Sequence, residues 1–153
     1  MATRVRPKAE ELYEEDFYVW TEVQAGLLRE QRFDALDLAN LIEEVEALGR
    51  AERSRVLNNA SIIIEHLLKL RHSPASEPRS GWIDTVLEHR DRLEFDLTPR
   101  LCRILEEDLS RVYAITRRRT ERRLRNHGEQ AAADALPTTC PYTLDQITGD
   151  WWP

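Results

Sequence analysis

Glycine, proline, cysteine and lysine are all scarce in this chain of 153 residues, and each scarcity excludes something. Two cysteines, Cys102 and Cys140, are too few for a disulfide framework, so reduced thiols and a cytoplasmic location are the expectation. Five Gly and seven Pro leave little punctuation, and apolar residues recur at spacings of three and four rather than two, which excludes a strand-rich fold. The longest aliphatic run, Ile62-Ile63-Ile64, falls far short of the ~20 residues of a membrane span. The opening Met1-Ala2-Thr3-Arg4-Val5-Arg6-Pro7 lacks the apolar stretch of a secretory signal. There is no phosphate-cradling glycine loop, no zinc-spaced set of Cys and His, and no nucleophile elbow. No internal repeat or long linker divides the chain, so a single helical domain over residues 1–153 is expected, with about residues 1–9 as a flexible arm.

What is present is 41% hydrophobic and 33% charged, the balance of a globular protein. A compact chain of this length buries roughly 68–70% of its unfolded surface, so no cofactor is required for folding and none is expected. The net charge of −6 argues against general affinity for nucleic acid or anionic lipid. Residues 1–50 hold 6 basic and 12 acidic groups, so the whole excess lies in the first third. Only Lys8 and Lys69 of the 22 basic residues are lysine, a bias that GC-rich coding explains better than recognition of carboxylate or phosphate does.

The periodicity predicts an all-α helical bundle of about five main helices with a short C-terminal helical turn and a docked aromatic tail. The first helix runs from about Glu10 to Glu30 with Tyr13, Phe17, Trp20, Gln24, Leu27 and Leu28 on one stripe. The second begins at Asp37 as N-cap, with Leu38, Leu41, Ile42, Val45 and Leu48 inward and Gly49 as a stop or kink. The third covers about Ala51 to His72, with Val56, Ala60, Ile63, Ile64 and Leu67 inward. A fourth, capped by Ser80, buries Trp82, Ile83, Val86, Leu87 and Leu93. Thr98-Pro99 starts a fifth, through Leu101, Leu105, Leu109 and Val112, that ends at His127-Gly128. A short alanine turn at Ala131–Ala135 follows, and Thr143 with Gln146 has the spacing of a capping box before Trp151-Trp152-Pro153.

Four strings in order resemble a bacterial family catalogued as domain of unknown function twenty-nine. They are Tyr13-Glu14-Glu15-Asp16-Phe17-Tyr18-Val19-Trp20, the stretch from Leu36 to Glu46 (LDLANLIEEVE), His66-Leu67-Leu68-Lys69, and Cys140-Pro141-Tyr142-Thr143-Leu144-Asp145-Gln146. The resemblance covers about residues 11–153. Leu70 stands where family members often carry an aromatic after Lys69. What the resemblance implies is a compact helical domain in the bacterial cytoplasm; it imports no activity.

Three constellations carry chemistry. Along the third helix, Arg55, Asn59, Ile62, His66 and Lys69 form a second line beside the apolar one, suited to a pocket, a homodimer surface or another helix of the bundle. The bland reading is a histidine and asparagine hydrogen-bonded inside the fold. On the second helix, Glu44 and Glu46 border the apolar stripe. If Glu44 faces His66 or Arg55 across a helix pair, the result is an ion pair, a general-base dyad or part of a carboxylate and histidine metal site. No Glu precedes any of the four histidines by three residues, so the dinuclear-metal pattern is missing and no metal is expected. Cys102, in the first turn of the fifth helix, reads as a small apolar residue rather than an activated thiol.

The third constellation, Arg117-Arg118-Arg119-Thr120-Glu121-Arg122-Arg123-Leu124-Arg125, packs six arginines into nine residues. Arg118, Arg122 and Arg125 form one solvated line, while Arg119 and Arg123 continue the apolar stripe and are expected to pair with carboxylates of the first helix or of a partner. No aromatic is interleaved, which weighs against single-stranded nucleic acid. The best reading is a small helical interaction or regulatory module, a homodimer with room for another protein partner, rather than an enzyme. The alternatives are a small metal-dependent or hydrolase-like enzyme using Glu44 and His66, with Asn59 and Arg55 orienting substrate, and nucleic-acid binding through Arg118, Arg122 and Arg125. Nucleic acid is not the expected partner, and neither is a membrane.

Overall fold

A computed structural model describes residues 9–153, and every regular element among them is helical. All but the last residue of the expected N-terminal arm lies outside the described residues. The helices are α1 (Ala9–Glu15), α2 (Phe17–Arg29), α3 (Leu38–His72), α4 (Arg79–Asp96), α5 (Pro99–Asn126), α6 (Gln130–Asp134) and α7 (Leu144–Thr148), with a 3₁₀ turn at Phe33–Ala35. The chain divides into two compact units, Met1–Ala51 and Glu52–Pro153.

In the first unit the expected single helix is broken at Asp16. Its backbone leaves the helical region (φ −151°, ψ 84°) and its carboxylate accepts a hydrogen bond from Val19 N at 3.1 Å, capping α2. Helix α2 ends by turning Gln31 to a positive φ of 57°, which lets Arg32 N donate to Leu27 O at 2.9 Å. Glycine normally occupies such a position, because a Cβ there crowds the backbone.

The polar centre of this unit is tight. Trp20 Nε1 donates to Asp37 Oδ2 at 3.1 Å, Asp37 N donates to Gln24 Oε1 at 2.9 Å, and Asn40 Nδ2 donates to Asp37 Oδ2 at 2.8 Å. Trp20, Gln24 and Asp37 are all buried, and these bonds satisfy their polar groups except Gln24 Nε2, which has no partner among the described residues. The Tyr13 and Trp20 rings meet edge to face with centroids 5.0 Å apart, whereas Phe17, expected in the core, is half exposed.

These bonds decide which side of α3 is covered. Leu41, Glu44 and Ala47 are part-buried, whereas Leu38, Ile42, Val45 and Leu48, expected inward, are 51–68% exposed. The apolar periodicity is right that these residues are helical and wrong about their inner face. Hydrogen bonding through Asp37 and Glu44 fixes that face, and the leucine-rich line is left outward.

In the second unit α3 presents Val56, Ala60, Ile63, Ile64 and Leu67 to the core as its period requires, together with Leu68 and the polar Asn59 and Glu65. Helix α5 begins with Thr98 accepting from Leu101 N at 3.3 Å and Pro99 in the first turn. It closes at Gly128, whose φ is 78°. Its inner face carries Thr116 and Thr120, both fully buried. Their hydroxyls donate back to Val112 O at 2.8 Å and Thr116 O at 2.9 Å, so neither needs a partner across the interface. Small side chains let α3 come close: Ser61 Oγ and Thr116 Oγ1 lie 2.6 Å apart.

Helix α4 departs most from its apolar reading. Val86 and Leu93 are buried, Ile83 and Leu87 are not, and the remaining inward places belong to His89 and Arg90. No side chain caps its start; Pro78 rather than Ser80 precedes it. Arg90 organises the C-terminal segment. Its Nε donates to Ile147 O at 3.0 Å, and its Nη2 donates to Gln146 O at 2.8 Å and Trp151 O at 2.7 Å. The guanidinium also lies 4.9 Å from the centre of the Trp152 ring. Helix α7 starts from the expected capping box of Thr143 and Gln146, and Trp151 packs against Tyr142 with centroids 5.7 Å apart.

Candidate functional site

The residues singled out from the sequence fall into three groups. Glu44 and His66 do not sit on a helix pair. The sequence places a second helix from Asp37 with Gly49 as its stop or kink, yet α3 runs uninterrupted from Leu38 to His72. A glycine inside a helix costs about 1 kcal/mol without requiring a break, and Gly49 has open space around it. Both residues belong to that one helix, 22 positions apart in sequence, Glu44 in the first unit and His66 in the second.

Glu44 is engaged locally. Tyr13 Oη donates to its Oε1 at 2.7 Å, and that hydrogen bond, aided by desolvation and the neighbouring carboxylate charges, pushes the Tyr13 hydroxyl up to about 12. His66 is part-buried, and its Nδ1 has no hydrogen-bond partner. Burial, helped by the Lys69 ammonium, lowers its pKa to about 4, so the imidazole is neutral at pH 7 and too weak a base for proton abstraction there.

Asn59 and Arg55, also on α3, face α4. Asn59 Oδ1 and His89 Nδ1 are 2.7 Å apart in a buried pair, leaving Asn59 Nδ2 without an acceptor. Burial lowers the His89 pKa, followed by the Arg92 charge, so this imidazole too is held neutral. Arg55 Nε donates to Asp96 at 2.9 Å and its Nη2 to Glu52 at 2.7 Å. Arg55 and Asn59 share an open groove of about 440 Å³ with Arg92, Phe95 and Asp96; His66 does not line it. Among the described residues no three His, Cys, Asp or Glu side chains gather as a metal site.

The arginine run divides by helix face. Arg118, Arg122 and Arg125 are exposed, but Arg125 is held by Glu121 at 2.9 Å and Asp134 at 2.8 Å. Arg119 and Arg123 find a carboxylate on α3. Glu65, only 2% exposed, accepts from Lys69 Nζ at 2.7 Å, from Arg119 Nε at 3.0 Å and from Arg123 Nη1. Burial alone would raise the pKa of this carboxyl. The hydrogen bonds and charges of Lys69 and Arg123 outweigh it and hold Glu65 below its ordinary value.

Glu65 was missed from the sequence because it lies on the buried side of α3, where a carboxylate is not expected. Its four-residue spacing from Lys69 was the available signal. Arg90 offered none, since its acceptors are backbone carbonyls.

What the described residues define is an all-α protein with a hydrogen-bonded N-terminal unit and a helical C-terminal unit whose buried charges lie on α3 and α4. No helix among them is long and apolar enough to cross a membrane. The chain matches the family described as Domain of unknown function DUF29 over residues 12–152, nearly its whole length, and belongs to that family. Searches of curated proteins and of solved structures found no match.

Proposed function

We propose that the protein is a bacterial, cytoplasmic interaction module that acts through self-association of its N-terminal unit, two copies meeting along α3. The observation that carries this reading is the outward apolar line of Leu38, Ile42, Val45 and Leu48, each more than half exposed. At 100° per residue the four fall within an arc of about 120°, the width of a helical packing face. A row this regular on a helix whose other side is already engaged by Tyr13 is a surface left for another molecule. Spacings of three and four let an identical row interlock with it, which is the self-complementary contact that a two-fold dimer requires. The free thiols of Cys102 and Cys140 support the cytoplasmic assignment.

The test is the mass of the full chain in solution, by light scattering on a sizing column and by native mass spectrometry, for wild type and for the double variant Ile42→Glu with Val45→Glu. Two copies are expected for wild type and one for the variant, with helical circular dichroism unchanged because both positions are already exposed. A wild-type protein that stays monomeric at micromolar concentration refutes self-association. A dimer indifferent to the double variant removes α3 from the interface.

A further inference from the structure

Within the second unit α3 and α5 enclose an open groove of about 320 Å³, at the lower end of the size range of small-ligand sites. Its polar rim holds three guanidinium groups, Arg53, Arg111 and Arg119, against one carboxylate, Asp108. That is a local charge of +3 − 1 = +2 in a chain whose total is −6. Balance is not restored beneath the groove, because Glu65 is shared there by Lys69, Arg119 and Arg123.

Two of the three arginines are anchored in place. Arg119 gives Nε to Glu65 at 3.0 Å and Nη2 to Ser61 Oγ at 2.9 Å, which fixes the plane of its guanidinium and leaves Nη1 without an acceptor among the described residues. Arg53 gives one nitrogen to Asp108 and keeps the others. Arg111, one helical turn along α5 from Asp108, has no hydrogen bond or ion pair among the described residues. Anchored guanidinium groups with spare N–H donors suit an oxyanion with several acceptor oxygens, since less side-chain freedom is lost when it binds. Apolar side chains line the same groove: Leu57 from α3 and Val112 from α5 border it, and Ile115, also on α5, is half exposed beside it.

We propose that this groove binds a small phosphate monoester, its phosphate held by Arg53, Arg111 and Arg119 and its apolar body lying on Leu57, Val112 and Ile115. A phosphate monoester carries about −1.5 to −2 charges at pH 7 and three acceptor oxygens, which matches the local excess of +2 and the three donors; a carboxylate supplies half the charge and two oxygens. The site uses only residues of the second unit and is independent of self-association through α3.

The experiment titrates the full chain with phenyl phosphate, inorganic phosphate and benzoate by calorimetry and by amide chemical shifts. Saturable binding of phenyl phosphate is expected, with shifts centred on residues 53–61 and 108–119, and with inorganic phosphate and benzoate each at least about tenfold weaker. Arg111→Gln, at an exposed and unpaired position that folding does not need, is expected to weaken phenyl phosphate by about tenfold or more. Ile115→Ser is expected to weaken phenyl phosphate but not inorganic phosphate. Absence of saturable binding, benzoate as tight as phenyl phosphate, inorganic phosphate as tight as phenyl phosphate, or indifference to Arg111→Gln each overturns the proposal.

Discussion

Replacing Arg90 by methionine keeps most of the side-chain stem and removes every donor, and the structure sets the size of the effect. Three carbonyls lose their partner: Ile147 O in a buried bond, Gln146 O and Trp151 O in part-buried ones. A buried carbonyl left bare costs about 1–3 kcal/mol, whereas the part-buried pair can recruit water and loses less. The contact with the Trp152 ring adds about 0.5–1 kcal/mol. Against this stands a relief. Arg90 is only 6% exposed, its Nη1 has no acceptor, and burial already lowers its pKa, so the variant no longer buries an incompletely satisfied cation.

The net expectation is a loss of about 2–4 kcal/mol, or about 6–12 °C in Tm for a chain of this size. Urea unfolding followed by far-ultraviolet circular dichroism gives the free energy. Amide exchange at residues 144–152 shows whether the loss is local, as it should be if Arg90 acts by fastening that segment. Arg90→Lys separates charge from geometry: one ammonium cannot replace the two guanidinium nitrogens that span three carbonyls, so it should fall near methionine. A methionine variant within about 0.5 kcal/mol of wild type, or a lysine variant equal to wild type, refutes the reasoning.

Further outcomes follow from other features. Gln31→Gly should stabilise by up to about 1 kcal/mol, because relief of the positive φ slightly exceeds the added chain entropy; a destabilised variant by urea titration argues against strain there. Glu65→Gln should cost about 3–5 kcal/mol, since three cations lose their counter-charge. Because the folded Glu65 pKa is depressed, its contribution is present above the unfolded carboxyl value near 4.3 and is lost as pH falls through the folded one. The variant's deficit should therefore shrink below about pH 4, and an undiminished deficit in acid would count against the cluster. His66 titrates at about 4 in the fold against 6.5 unfolded, so the unfolded chain binds the extra proton between those values and stability falls as pH drops from 6.5 to 4. Discounted for partial exposure, the loss is about 1–2 kcal/mol, and a His66 imidazole that titrates near 6.5 by NMR would contradict it.

Local chemistry was legible in the sequence wherever a signal and its partner lie within a few residues. Thr98-Pro99, Gly128 and the Thr143–Gln146 box all mark helix ends where the structure has them, because capping bonds span one turn. The inner faces of α3 and α5 in the second unit were legible too, because Val56, Ala60, Ile63 and Leu67, with Leu105 and Val112 opposite, are packed by apolar burial alone. Long-range hydrogen bonds hid the rest. The Trp20–Asp37 bond spans 17 positions and Tyr13–Glu44 spans 31, and together they turn a leucine-rich line outward that periodicity had turned inward. The helix boundary expected at Gly49 failed for a simpler reason: Gly49 neither stops nor separates the helix, so two expected helices are one. Arg118, Arg122 and Arg125 are solvated as their spacing requires, but the carboxylates that hold Arg125 and Arg119 belong to the three-dimensional structure.

The guanidinium bias has a chemical consequence for how the protein can be controlled and handled. Lys8 and Lys69 are its two lysines, and the Lys69 amine is sequestered, 13% exposed and bonded to Glu65. Acetylation, and any reagent that targets primary amines, therefore meets almost nothing from residue 9 onward. The arginine charge of this molecule, including the three arginines of the α3–α5 groove, is permanent under lysine acylation, and a cell that adjusts charge by that route leaves it untouched.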